Sequence, residues 1–198
     1  YCAISPVQVL SGAQDACETS FLQDIEFVSA AKGGASGGDY GQFSLAVDVN
    51  GCVWSWGYNA GDCQLGIIAD DDFNTPVPVN SGEQGGSQLH DIVSISAGQK
   101  HSIAADSNGS VYTWGDGEHG KLGNGSTNDC EIPVQVKSGE QDPCNPNTYL
   151  QNIVAVSAGW YHSMALEELD SGDANCNGRV YTFGAGEPNT SDDYENSP

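Results

Sequence analysis

The sequence predicts an all-β protein of three repeats. Each is a β-propeller-type blade of four short antiparallel strands, and the blades form an open array or part of a larger propeller. Three observations lead there. One pattern recurs three times along the 198 residues, at a spacing of about 60 residues. Within it, apolar and polar positions alternate over short runs, as in half-buried strands, and no long helical period appears. Glycine is abundant, at 26 residues, as a chain of strands and turns requires.

The elements of the repeat follow in order. A proline-led strand comes first: Pro6-Val7-Gln8-Val9, Pro76-Val77-Pro78-Val79 and Pro133-Val134-Gln135-Val136. A Ser-Gly turn follows at Ser11-Gly12, Ser81-Gly82 and Ser138-Gly139. Next come the alternating stretches that begin at Ile25, Ile92 and Ile153 and end at Ala30, Ala97 and Ala158. A third strand starts at Phe43, His101 or His162. The fourth is Gly51-Cys52-Val53-Trp54-Ser55-Trp56-Gly57, with counterparts starting at Gly109 and Gly178. Asn50-Gly51, Asn108-Gly109 and Asn177-Gly178 supply pairs that tolerate positive φ between the last two strands. The repeats divide the chain into 1–75, 76–132 and 133–198, as one continuous domain. A lone blade leaves its faces bare, so the blades must stack.

Charge narrows the function. Asp and Glu total 27 against 5 Lys and Arg, a formal charge of −22. Lys32, Lys100, Lys121, Lys137 and Arg179 are spread along the chain, so nucleic acid is not an expected partner. The acidity fits a solvated surface, a cationic partner or bound metal ions. No run approaches the ~20 apolar residues of a membrane span, and no signal peptide is recognisable. The chain starts at Tyr1 and stops at Pro198 in mid-pattern, as a mature form or a piece of something longer would. The seven cysteines include no Cys-x-x-Cys pair, which argues against zinc. With sequons at Asn108, Asn124 and Asn189, they imply a secreted or cell-surface glycoprotein.

The motifs resemble the regulator of chromosome condensation repeat family. The pattern is most complete at Ile95-Ser96-Ala97-Gly98, His101-Ser102, Gly109 to Gly115, Leu122-Gly123 and Pro133 to Val136. The first repeat departs by a Gly-rich insertion from Lys32 to Asp39 and by Phe43 in place of His. The third departs by an insertion from Glu167 to Asn177. The resemblance implies a propeller of about seven blades when complete. Its members include exchange factors for a small GTPase, parts of ubiquitin ligases, light receptors and secreted enzyme inhibitors. Fold transfers on such a resemblance; activity does not.

Three blades should not close a ring. The resemblance makes the opening strand, Pro6 to Val9, the outer strand of a preceding blade, while the last blade lacks its own outer strand. Ser197-Pro198 matches Ser5-Pro6, so the ends are in phase. Either the chain is an excerpt of a longer propeller, or copies join head to tail, with Pro6, Val7 and Val9 of one completing the last blade of the next.

The repeats also pair the cysteines. Cys2 and Cys130 occupy similar places, as do Cys17 and Cys144, and the second repeat lacks both. The expected bridges are therefore Cys2–Cys17 and Cys130–Cys144, each closing a loop of about 15 residues worth roughly 3 kcal/mol. Cys52 and Cys63 flank one strand and its turn and are expected to pair. Cys176 is left for an intermolecular bond, for a free thiol, or for a partner outside the chain.

His101 and His162, at equivalent places, read as framework residues; His90 and His119 lie in polar connections. Trp54, Trp56, Trp114 and Phe183 read as packing. Trp160-Tyr161 stands in a loop where the second repeat has Gln99-Lys100, and could anchor a partner. Asp170, Asp173, Asn175 and Asn177 form half of a calcium-loop pattern, without its closing Glu. Asp70-Asp71-Asp72 reads as a solvated loop. No nucleophile elbow, phosphate loop or paired-carboxylate motif is recognisable. No organic cofactor is expected, and calcium is the one candidate ion. The expected function is a non-enzymatic extracellular structural or adhesive repeat protein that binds copies of itself. A secreted propeller that binds or inhibits another protein is the alternative, and an intracellular exchange-factor-like regulator a lesser one.

Overall fold

The computed structural model describes residues 5–14, 21–31, 42–59, 61–139, 148–168 and 178–185. Eleven strands appear among them, in three antiparallel sheets. The first blade is β1 (Ile25–Ala30), β2 (Phe43–Asp48), β3 (Val53–Gly57) and β4 (Phe73–Pro78). The second is β5 (Ile92–Ala97), β6 (His101–Asp106), β7 (Val111–Gly115) and β8 (Cys130–Gln135). The third has β9 (Ile153–Ala158), β10 (His162–Glu167) and β11 (Val180–Gly184), and β11 is its edge.

In the first two blades the hairpin between the second and third strands is built by an aspartate. Asp106 Oδ1 accepts the backbone N–H groups of Asn108 and Ser110, at 2.9 and 3.0 Å. Asp48 does the same for Asn50 and Cys52, and its Oδ2 accepts from the Trp54 indole at 3.1 Å. A short side chain thus replaces backbone bonds that the turn cannot make.

The cores lie between blades. Leu45, Val47, Leu65, Leu89, Tyr112 and Trp114 fill the first interface. Ile103, Val111, Val136, Leu150, Ile153 and Ala165 fill the second. Serines stitch the innermost strands: Ser29 Oγ accepts from the Ala97 N–H at 3.0 Å, and Ser96 Oγ from Ala158 at 3.0 Å. Loop carbonyls stitch the middle. Gln64 O accepts from Ser102 Oγ and Trp114 Nε1 at 3.0 and 2.9 Å, and Lys121 O accepts from Ser163 Oγ at 2.9 Å.

The outer strands are held twice. β8 pairs with β7, with Gln135 opposite Tyr112 and Val134 opposite Thr113. The Val136 N–H then donates to Val111 O at 3.0 Å. On its far side β8 lies under the Gly82–Gln84 turn of the preceding repeat, as β4 lies under the Gly12–Gln14 turn. Pro76 and Pro133 are buried by this arrangement, and an outer strand tolerates their missing N–H groups.

Candidate protein-binding site

β11 carries no outer partner among the described residues, and its first residue, Val180, is 58% exposed; Val53 and Val111, its equivalents, are 0% exposed. Beside it lies a groove of about 830 Å³ lined by Gly123, Val136, Ser138, Gly139, Tyr181 and Phe183, among others. Phe183 forms one wall and packs against Gly123, as Trp114 packs against Gly66 one blade earlier.

The opposite end of the chain carries the complementary feature. Pro6, Val7 and Gln8 are exposed, Val7 to 74%, and Val9 is half-buried. Their equivalents Pro76, Val79, Pro133 and Val136 are all buried. The same motif is thus seated in two positions and bare in the third.

Trp160 and Tyr161 occupy the turn between β9 and β10, both well exposed. They meet edge to face at 6.4 Å, and Tyr161 meets the His119 ring the same way at 5.7 Å. Sequence reasoning missed His119 in this cluster. Its φ of 62° is the one legible cost, and it sits directly before Gly120. Below the cluster is a cleft of about 160 Å³ lined by Gln99, Lys100, Asp116, Glu118 and Tyr161. Lys100 pairs with Asp62 at 3.1 Å, and the buried Lys121 ammonium pairs with Asp116 at 2.8 Å. Burial pushes the Asp116 carboxyl up. Lys121 and the Glu118 N–H outweigh it and hold that group below the usual carboxylate range.

One pair has the look of catalysis and is not. His101 Nε2 and Ser163 Oγ are 2.9 Å apart. Ser163 donates its only proton to Lys121 O, so the imidazole must donate to the hydroxyl oxygen rather than abstract from it. Both residues are fully buried between the second and third blades. The histidine is a framework residue, as its place in the repeat predicts.

The structure corrects the expected Cys52–Cys63 pair: both are free thiols. Cys52 stands before β3, near Asp48 and Asp91, and Cys63 stands past the other end of β3, near Glu131, Asp70, Asp129 and Asp62. Distinct neighbours at opposite ends of a strand are incompatible with the ~6 Å Cα separation of a disulfide. Cys130 is also a free thiol, accepting a long contact from Asn124 Nδ2 at 3.4 Å. Its expected partner Cys144 lies outside the described residues, as do Cys2, Cys17 and Cys176. Among the described residues there is no disulfide. Burial, then nearby carboxylates, pushes the Cys63 thiol up to about 11, which makes it a poor nucleophile at neutral pH.

Asp170, Asp173, Asn175, Asn177 and Asn189 also lie outside the described residues. Among those described, no three His, Cys, Asp or Glu side chains gather closely enough to hold a metal ion. Asn108 is exposed in the β6–β7 turn, and Asn124 is half-buried. Within the acidic loop at 70–72, Asp72 Oδ1 accepts the Asn59 N–H at 2.8 Å, a loop-fixing role that its neighbours in sequence do not reveal.

Antiparallel blades stacked face to face define a propeller-type repeat protein whose interaction surfaces are loops and strand edges. The chain belongs to the regulator of chromosome condensation (RCC1) repeat family, whose model matches residues 50–105 and 108–166, together more than half of the sequence. It is 35% identical over 130 residues to the E3 ubiquitin-protein ligase HERC2 of Homo sapiens, covering 65% of this chain and 2% of that protein. It is 31% identical over 140 residues to the ultraviolet-B receptor UVR8 of Arabidopsis thaliana, covering 71% of this chain and 27% of the receptor. Among solved structures, it resembles Prp20p from Saccharomyces cerevisiae with a TM-score of 0.50 and 25% identity, covering 76% of this chain and 33% of that one. Human WBSCR16, at 19% identity and a TM-score of 0.59, shares the fold, over 86% of this chain and 37% of that one. This chain therefore spans a third or less of each of these relatives except WBSCR16.

Proposed function

We propose that the chain is a non-enzymatic protein-binding repeat protein, structural or adhesive in role, whose blades join head to tail with other copies outside the cell. The observations that support it best are a strand edge beside a groove at β11, without an outer partner among the described residues, and an exposed proline-led strand at residues 6–9. A contact between unlike surfaces that does not close on itself propagates a filament. The extracellular placement rests on the seven cysteines and the three sequons.

A second reading has its own observation. The exposed Trp160, Tyr161 and His119 rings would anchor a different protein on the loop face. Prp20p, described with binding properties to Gsp1p and histones, shows that the fold can carry such contacts. Light scattering across a concentration series separates the two. Mass that grows with concentration, with rods by electron microscopy, is expected; a compact monomer at every concentration would sink the head-to-tail reading. A charge of −22 predicts that salt promotes this growth, by screening repulsion between copies.

A further inference from the structure

An asparagine followed by glycine is prone to lose its side-chain amide, because the glycine nitrogen has no Cβ beside it to hinder attack on the side-chain carbonyl carbon. Among the described residues are Asn50-Gly51, Asn108-Gly109 and Asn124-Gly125. Asn108-Gly109-Ser110 and Asn124-Gly125-Ser126 are identical tripeptides. A difference between them therefore belongs to the fold.

The fold does separate them. The Gly51 N–H donates to Asp48 O at 2.8 Å, and the Gly109 N–H to Asp106 O at 3.0 Å. Both glycines also press on the next blade: a Cβ would fall 2.8 Å from Asp91 Cα at Gly51 and 2.7 Å from Asn152 Cα at Gly109. Their nitrogens are held by a turn and by packing. Gly125 has neither restraint. It is exposed, a Cβ on it would meet nothing within 4 Å, and its N–H has no acceptor among the described residues.

The asparagine is set for the attack as well. Asn124 Oδ1 accepts the Ser126 N–H at 2.9 Å, which folds the side chain back over the Gly125 peptide. Oδ1 is also the atom that gathers negative charge when Cγ is attacked, and a donor already on it lowers the barrier. The leaving nitrogen, Nδ2, makes only a long contact of 3.4 Å to Cys130 Sγ. The loop is pinned on either side. Gly123 O accepts the Lys137 N–H at 2.9 Å, and Asp129 Oδ1 accepts the Gly117 N–H at 2.9 Å.

We propose that Asn124 is a site of spontaneous covalent modification in the folded chain. The Gly125 nitrogen bonds to Asn124 Cγ, the Cγ–Nδ2 bond breaks, and the Gly125 amide proton leaves with Nδ2 as ammonia. Water then opens the cyclic imide at either carbonyl, leaving aspartate or isoaspartate. Water is the one co-reactant. The product sets a carboxylate beside Cys130 where an amide donor stood. Burial pushes that thiol up, the Asn124 amide draws it down, and Asp129 and Glu83 push it up again. Conversion removes the donor and adds a negative neighbour, so it quiets the thiol.

The test incubates the full chain, made without glycans so that Nδ2 is bare, at mildly alkaline pH. Trypsin cuts after Lys100, Lys121 and Lys137, which places Asn108 and Asn124 in separate peptides. Mass spectrometry then follows amide-to-acid conversion at each, and an isoaspartate-specific methyltransferase labels the rearranged product. Asn124 is expected to convert about tenfold faster than Asn108, because Gly109 must first give up its hydrogen bond and its packing. In urea the two identical tripeptides should convert at similar rates. Gly125→Ala should stop conversion at Asn124, since its Cβ crowds the attacking nitrogen while meeting no other part of the fold. Iodoacetamide should label Cys130 more slowly in the converted fraction, and Asn124→Asp should reproduce that loss. Equal rates at Asn108 and Asn124 in the folded chain overturn the proposal. So does a difference that persists in urea, which would trace to flanking sequence. Cys130 labelling that is the same before and after conversion overturns the link to the thiol.

Discussion

Replacing Gly82 and Gly139 in turn by alanine isolates what a seated outer strand is worth. Both glycines sit at nearly the same positive φ, 53° and 52°. The strain of holding an L-residue there, about 1–2 kcal/mol, is therefore common to both variants. At Gly139 nothing further is lost, because the new Cβ meets no atom within 4 Å. At Gly82 it lands on the Pro133 carbonyl, and β8 must back away. Val136, 2% exposed, then loses part of its burial, up to about 1.5–3 kcal/mol for a valine. The bond from its N–H to Val111 O at 3.0 Å is worth about 1 kcal/mol more. Gly82→Ala should thus cost about 2–4 kcal/mol beyond Gly139→Ala. Urea unfolding followed by tryptophan fluorescence measures both, at a concentration low enough to keep the chain monomeric. Equal losses within about 0.5 kcal/mol would show that the Ser-Gly turn does not clamp the strand.

Three further outcomes follow from the buried groups. Trp114→Phe should cost about 2–3 kcal/mol, since the 2.9 Å bond to Gln64 O is lost and the smaller ring leaves a void at a fully buried site, whereas Trp114→Ala should cost about 3–5 kcal/mol in the same urea assay. The Asp116 carboxyl is held below its ordinary value, so its contribution to stability is present above about pH 4 and is lost as pH falls through its folded pKa; Asp116→Asn should flatten that acid limb in melts recorded from pH 5 downward. Cys63, raised from 9.0 to about 11, should hold about a hundredfold less thiolate at pH 8 than an ordinary cysteine, and so should alkylate with iodoacetamide correspondingly slowly, as mapped by mass spectrometry.

Strand positions were legible because each depends on local sequence. The runs that begin at Ile25, Ile92 and Ile153 became β1, β5 and β9 with the expected bounds, since alternation along a strand reports burial residue by residue. Other features were hidden because they join residues far apart in the chain. Cys52 and Cys63 looked like partners because they flank one strand and its turn, yet β3 holds them at opposite ends. His119 gave no sign that it would meet Tyr161, which approaches from the next blade. Asp116 and Lys121 are five residues apart, and no motif marks them as partners; burial of the lysine makes them a structural pair.

The sequence by itself determined the repeat and the strands within it, because turns, alternation and proline act over a few residues. Only the tertiary structure decided which residues of different repeats meet. Gly139 reads like any other turn glycine until its empty surroundings are set beside the filled ones of Gly12 and Gly82. A vacancy in packing is a property of neighbours brought together from different repeats, and no single stretch of chain encodes it.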